Sequence, residues 1–409
     1  MEATFLTAIH INKVRHLKDI DIPLSSDTRK NLILTGKNGS GKTSVLEALA
    51  QHLSFVASNH YRSMKDCLQS VKKCQENLAN EDDPSGVILY ELQKDLSASE
   101  QTLSYWTTGA VPQYSSILTL RNRYAHGQFV LSYFRDERNI DVKIAKNIEK
   151  ISLPAVYSIS DSPASDIAKY MVNLKTTQAF AKNEGIKARD DEIENWFQRF
   201  ESILQIMYDD NSIKLNFDIE NFQFTITMDG REPFDFNTMS MGYAAVFDII
   251  ADLMMRMESQ HRYDLEGIVL IDEIETHLHV ELQKKIVPIL TKLFPNIQFI
   301  MTTHSPFVLN SAQNAVIYDL EKHMLVEDGL TNLPYEGIVE GYFGVDRMSQ
   351  ELRGKFERYK ALVGKAELTD EEFAETAELE TYLDEVPDYL ALEFSAEYSR
   401  LKLEFANRG

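Results

Sequence analysis

"NLILTGKNGSGKTSVLEAL", residues 31–49, decides the fold. An apolar run reads as a buried strand, a glycine-rich turn follows, and Val45, Leu46, Leu49 and Leu53 then fall along one side of a helix. Inside it, "GKNGSGKT" at 36–43 fits G-x-x-x-x-G-K-[ST] without mismatch. The order has a chemical reason. Gly36, Gly39 and Gly41 let backbone N–H groups curl round a β-phosphate, and the helix N-terminus adds partial positive charge. Lys42 reaches the β- and γ-phosphates of a nucleotide, and Thr43 offers its hydroxyl to Mg²⁺. Asn38, Ser40 and Ser44 complete the candidate nucleotide-binding set.

Such a loop requires a second strand that ends in carboxylates. "GIVLIDEIETHLHVEL" at 267–282 supplies it: a buried central strand ending in Asp272 for Mg²⁺ and Glu273 to orient or deprotonate the attacking water. Glu275, His277 and His279 share this stretch, which raises the question of a transition metal. A zinc site of the helical type wants two His four apart with a Glu between them; His277 and His279 stand two apart and do not converge. The next strand ends at "IMTTHSP", where His304 can hydrogen-bond a γ-phosphate oxygen.

Composition sets the bounds. The 409 residues carry 42 basic and 63 acidic side chains, a net charge of −21, which opposes indiscriminate adhesion to nucleic acid or anionic membrane. No apolar run is long enough to span a bilayer and no secretory signal opens the chain. With two cysteines a disulfide framework is not in play, and a reducing cytoplasm is the expected compartment. Cys67 and Cys74 read as packing residues on one helical face.

Along the chain, "TFLTAIHI" and "DIDIPL" read as strands before the loop. Residues 62–103 read as an inserted antiparallel helical hairpin: Met64, Leu68, Val71 and Leu78 line one stripe, Leu89, Leu92, Leu96 and Leu103 another. "SSILTLRN" and "GQFVLSYFRDER" read as a β-hairpin, 163–207 as a helical stretch, and "IKLNFDIENFQFTITMDG" as a second hairpin. A helix starts near Met241; strands and helices then alternate through "IQFIMTT" and "NAVIYDL", which predicts a mainly parallel sheet covered on both sides. The acidic segment 366–397 holds twelve carboxylates and no Lys or Arg. Phe373, Leu379, Leu383, Leu390, Leu392 and Phe394 recur at helical intervals within it.

Taken in order, the loop at Gly36 to Thr43, "SMG" at 240–242, "LIDEIETHLH" at 270–279 and "TTHSP" at 302–306 resemble the ABC-type ATPase heads of the RecF, SMC and OLD-like group. The resemblance implies an α/β fold: a P-loop NTPase of ABC-ATPase type with an antiparallel β subdomain, an inserted helical hairpin and a C-terminal helical region. Its parts would be residues 1–61 with the loop, 62–106 as the hairpin, 107–320 as the rest of the head, and 321–409 as an acidic helical region. It further implies that Ser240 and Gly242 close on the γ-phosphate of a nucleotide held by another subunit. Glu275, His277 and His279 would then be interface residues rather than ligands. Arg15 matches a basic residue near the nucleotide in this group; a solvated basic turn with Lys13 and Lys18 is the alternative. The sensor glutamine of the group has no clear counterpart. "YFRDER" at 133–138 falls where it should stand, leaving Gln128 and Gln178 as weak candidates and Arg138 to pair with phosphate or with an acid.

The implied activity is ATP hydrolysis in homo-oligomers built from ATP-sandwich dimers, with ATP and Mg²⁺ as cofactors. The acidic region 321–409 shows no cluster of metal-binding carboxylates in a βαβ pattern, so no nuclease is expected there, and the chain resembles the ATPase subunits of bacterial anti-phage systems such as Septu, PARIS and nuclease-bearing retrons. In these a separately encoded effector, a nuclease or toxin, is controlled. The alternative is a RecF-like, ATP-gated DNA-binding protein of repair and recombination, with DNA as the partner.

Overall fold

The computed structural model describes residues 3–58, 60–80, 86–106, 108–138, 141–145, 147–327, 329–333, 337–338, 350–365, 367–385 and 392–407. The chain divides into two compact units, Met1–Asn332 and Leu333–Gly409, so the first runs past the boundary expected at residue 320.

In the first unit, β1 (Leu6–Val14) and β2 (Leu17–Pro23) form an antiparallel pair, and β3 (Asn31–Thr35) leads through the glycine loop into α1 (Lys42–Ala57). The inserted hairpin follows as α2 (His60–Asn80) and α3 (Val87–Trp106). Met64 and Val71 are buried while Leu68 lies 47% exposed, and Leu89, Leu92, Leu96 and Leu103 are half-buried. Cys74 Sγ lies 3.8 Å from Ser99 Oγ, across the seam between the two helices.

Next come β4 (Ala110–Tyr114), α4 (Ile117–Ala125), β5 (Phe129–Phe134) and a short 3₁₀ turn (Pro163–Asp166). The predicted hairpin of "SSILTLRN" with "GQFVLSYFRDER" is not formed. Ser116 caps a helix instead, its side chain accepting the Thr119 amide at 3.3 Å, and Leu120 and Tyr124 bury one face of it. The apolar spacing in that stretch serves a helix as well as a strand, and the cap decides. The expected helical stretch 163–207 is two helices, α5 (Ile167–Asn183) and α6 (Lys187–Tyr208), separated at Gly185, which takes a φ of 71°. Beyond them lie β6 (Lys214–Asp218) and β7 (Gln223–Thr227), antiparallel as predicted, then α7 (Met241–Glu258) and β8 (Glu266–Ile271). The unit closes with α8 (Val280–Leu293), β9 (Ile297–Thr302), α9 (Pro306–Ser311), β10 (Ala315–Asp319) and β11 (Met324–Val326).

The main sheet has the order β11-β10-β3-β9-β8-β5, with every pairing parallel except that of β10 with β11. Every residue of β3, β9 and β10 is buried, which explains their mostly apolar composition: helices and the β2-β1-β4 sheet leave no wet face for alternation. Helix α7 carries an internal buried ion pair whose two members each hydrogen-bond to β5. Arg256 Nε bonds Asp252 Oδ1 at 2.5 Å, Ser132 Oγ of β5 donates to the same oxygen at 3.0 Å, and Arg256 Nη1 reaches Leu131 O at 3.0 Å.

In the second unit, α10 (Gln350–Val363), α11 (Asp370–Asp384) and α12 (Leu392–Ala406) enclose a small core of Phe356, Tyr359, Val363, Leu383, Tyr398 and Leu401. A capping box at Thr369 and Glu372 starts α11. Leu379 packs against this core, but Phe373 faces solvent, 60% exposed. Leu390 lies outside the described residues.

Candidate functional site

Parallel strands deliver their C-terminal ends to one edge of a sheet, and here those of β3, β8 and β9 carry the motif residues. The glycine loop closes tightly. Gly41, with φ 99°, stands at the N-cap of α1, and a Cβ there would lie 2.9 Å from Leu17 Cδ1; a Cβ on Gly36, φ 133°, would lie 2.8 Å from Ser40 Oγ. No side chain caps α1 and no acid stands in its first turn, so its end presents bare N–H dipoles toward the loop. Lys42 is buried, its Nζ donating to Gly36 O at 2.9 Å and Lys37 O at 3.2 Å. Burial lowers its pKa, opposed by the charges of Glu273, Glu275, Asp272 and Asp319. Ser40 and Ser44 are buried; Asn38, Gly39 and Thr43 are exposed.

At the end of β8, Asp272 is 1% exposed and its Oδ1 accepts from Thr302 Oγ1 at 2.6 Å; the same Oγ1 accepts the Glu273 amide at 2.7 Å. One hydroxyl on β9 thus fixes both acids. Glu273 takes a φ of 43°, a left-handed conformation costing about 1 kcal/mol for a non-glycine residue, which its surroundings must impose. Glu275 Oε1 accepts the amide of His304 at the end of β9, while its Oε2 is buried with no partner among the described residues. Burial, and then the Lys42 charge, lower the His304 pKa, so the imidazole is neutral at pH 7. Lys42, His304, Asp272, Glu273 and Glu275 therefore act on one another electrostatically, although they come from three segments of the chain.

Ser240 is the exposed N-cap of α7, which also has neither a side-chain cap bond nor an acid in its first turn. Gly242 is buried against the loop after β8: a Cβ there would lie 3.0 Å from His277 O and 3.8 Å from Leu278 Cα. Glycine lets the first turn of α7 touch the "ETHL" backbone. His277 (φ 68°) and His279, the N-cap of α8, are exposed, and no cluster of three His, Cys, Asp or Glu residues suited to a metal exists among the described residues.

The remaining candidates are redistributed. Arg15 is exposed, φ 54°, at the β1–β2 turn. Its neighbours His16 and Leu17, not Arg15, line a cleft of about 470 Å³ beside the glycine loop, together with Lys37, Asn38, Glu321 and His323. Lys37 Nζ pairs with Glu321 Oε1 at 2.8 Å across its mouth. No sequence pattern singles out His16 or His323; the fold alone brings them to this cleft. Neither Gln128 nor Gln178 approaches the site. Gln128 precedes β5, at the end of the sheet opposite Asp272. Gln178 is buried in α5, and its Nε2 donates to Asp190 Oδ1 at 3.0 Å and Glu194 Oε2 at 2.9 Å, tying α5 to α6. Among the described residues, Arg138 pairs with neither an acid side chain nor a group of the glycine loop. Its Nη1 donates to Asp272 O at 2.6 Å and its Nη2 to Glu273 O at 2.7 Å.

The parallel-dominated sheet, with the glycine loop standing between β3 and α1, gives the chain an α/β fold consistent with the P-loop NTPase layout. Residues 117–310 match the family described as "AAA domain, putative AbiEii toxin, Type IV TA system". The chain is 27% identical to the Septu protein PtuA of Bacillus mycoides over 374 residues, covering 88% of this chain and 47% of that protein. It is 24% identical to the Retron Vc95 probable ATPase of Vibrio cholerae over 373 residues, covering 73% and 71% respectively, and 43% identical to the Retron Ec83 probable ATPase of Escherichia coli over 88 residues, covering 20% and 16%. The chain thus spans about half the length of the Septu relative. Among solved structures, the SMC head domain from Thermotoga maritima aligns with a TM-score of 0.35 at 12% identity, covering 77% of this chain and 94% of that one. Among the described residues no helix is long and apolar enough to cross a membrane.

Proposed function

We propose that the chain binds and hydrolyses ATP at the C-terminal edge of its main sheet, as a dimer that encloses two nucleotides and controls a separate effector in anti-phage defence. The observation that carries this reading is the convergence of Lys42, Asp272, Glu273 and His304 on one sheet edge, with the bare N-terminus of α7 seated on the loop after β8.

The residues Gly36 to Ser44 would surround the phosphates through their backbone N–H groups, and Lys42 would leave its loop carbonyls for the β- and γ-phosphates. Thr43 and Asp272 offer hard oxygen donors, the set that suits Mg²⁺, which supplies charge neutralisation of the phosphates when bound. Glu273, at the rim beside this pair, would orient the attacking water or take its proton, and neutral His304 would donate to or accept from the γ-phosphate environment through its imidazole. Ser240 and the free N–H groups of α7 form an anion site that faces outward, so its phosphate belongs to a second chain. The effector reading is supported by the named relatives, a Septu protein and two retron ATPases.

Light scattering coupled to gel filtration tests the dimer. The Glu273→Gln protein should double its mass with ATP·Mg²⁺, and Ser240→Arg should abolish the change; an identical mass with and without nucleotide contradicts the composite site.

A further inference from the structure

The loops that follow β8 and β9 leave the sheet edge side by side, and a row of hydrogen bonds ties one to the other. The Glu273 amide donates to Thr302 Oγ1 at 2.7 Å, the Ile274 amide to Thr302 O at 3.1 Å, and the His304 amide to Glu275 Oε1. The row ends at Gln283 in the first turn of α8, whose side chain reaches both loops at once. Its Nε2 donates to Leu278 O at 2.7 Å, and its Oε1 accepts from Ser305 Oγ at 2.6 Å.

Both ends of this bridge are fully committed. A carbonyl oxygen can only accept, so the amide nitrogen of Gln283 must face Leu278 and its oxygen must face Ser305. Ser305, buried as the N-cap of α9, accepts the amides of Phe307 at 3.1 Å and Val308 at 3.3 Å, which leaves its one hydroxyl hydrogen for Gln283. Glu275 holds the His304 amide by Oε1 alone, since its Oε2 is buried with no partner among the described residues. At the other end of the bridge, Leu278 belongs to the backbone that Gly242 touches: a Cβ on Gly242 would lie 3.0 Å from His277 O and 3.8 Å from Leu278 Cα.

We propose that Gln283 is a positioning residue for His304: by bonding Leu278 O and Ser305 Oγ together, it fixes the backbone that carries the histidine against the loop on which the first turn of α7 is seated. The inference rests on the ATPase reading above, in which His304 meets the γ-phosphate. Gln283 touches no nucleotide in that reading and acts on hydrolysis through His304 alone.

The test uses the full chain as Gln283→Met, which keeps the side-chain length and removes both bonds, as His304→Ala, and as the double variant. Single-turnover hydrolysis of ATP·Mg²⁺ with enzyme in excess, which still reads slow rates, and the affinity for a fluorescent ATP analogue are measured on the same preparations. A misplaced histidine costs turnover and not binding, so Gln283→Met should slow hydrolysis about tenfold with nucleotide affinity within about twofold of the parent, and His304→Ala should slow it about 50-fold. The double variant should be no slower than His304→Ala, because Gln283 then has nothing left to place; a general scaffold role would cost the same factor again in that background. The proposal is overturned if Gln283→Met or His304→Ala hydrolyses ATP at the parental rate, if the affinity of Gln283→Met falls with its rate, or if the two losses multiply. Should Gln283→Met fail to fold, Ser305→Ala removes the same bridge from its other end and is judged against His304→Ala by the same criteria. Lys42→Ala and Glu273→Gln run in the same assay separate the two failures. If these lose turnover while Gln283→Met does not, only the positioning is wrong; if these also hydrolyse ATP normally, the site itself is wrong and the positioning falls with it.

Discussion

At the ends of β8 and β9, Asp272, Thr302 and Arg138 are sealed from solvent, and apart from Arg138 Nε their polar groups are tied into hydrogen bonds with one another and with backbone groups. In the α2–α3 hairpin, by contrast, Met64 and Val71 are the buried residues of α2, and the facing leucines of α3 are half-buried. The first region spends stability to hold charges in fixed positions, since each buried polar group must find its partner. The second is held by a thin apolar seam that tolerates change. One chain thus separates a part where single atoms matter from a part where only the apolar pattern does.

Lys42→Ala breaks the contrast at its strongest point. Without the ammonium, ATP affinity should fall at least about 100-fold by isothermal titration, while the melting temperature changes little, because Lys42 bonds only loop carbonyls. Thr302→Val should come next. It removes the hydroxyl shared by Asp272 and the Glu273 amide, and should cost about 2 kcal/mol of stability in urea unfolding along with a fall in kcat. His52, buried on α1, has its pKa lowered by burial from 6.5 to about 4. Its native pKa is depressed, so the unfolded chain takes up the proton first as acidity rises. Its share of stability is complete above about pH 6.5 and is lost toward pH 4, amounting to about 3 kcal/mol. His52→Gln should flatten the acid limb of a stability–pH curve, and a limb of unchanged slope would discharge His52 of the role. The smallest effect belongs to the hairpin: Cys67→Ala with Cys74→Ala should cost about 0.5 kcal/mol and leave ATP turnover unchanged.

The parts of the fold that were legible in the sequence are those where one constraint dominates. Backbone geometry demands glycines at 36, 39 and 41, and double burial demands the mostly apolar runs of β3, β8 and β9. Where two constraints compete, pattern alone was insufficient. "ILTL" in α4 has the composition of a strand, and only the Ser116 cap reveals the helix. In the site, Asp272 and His304 announce themselves by the strands they end. Arg138 does not, because its partners are carbonyls, which every residue possesses; only the fold shows which carbonyls it meets. Where a sensor glutamine is expected, the segment after β5 carries Arg138, which bonds the backbone of the acidic strand end.

The most direct test of the central claim, that this sheet edge binds ATP through its loop and spends it through Glu273, is a paired measurement on Glu273→Gln. Single-turnover hydrolysis and equilibrium ATP binding should be read from one preparation. The account predicts affinity within about twofold of the parent and hydrolysis at least about 100-fold slower. Parental hydrolysis in that variant would contradict it.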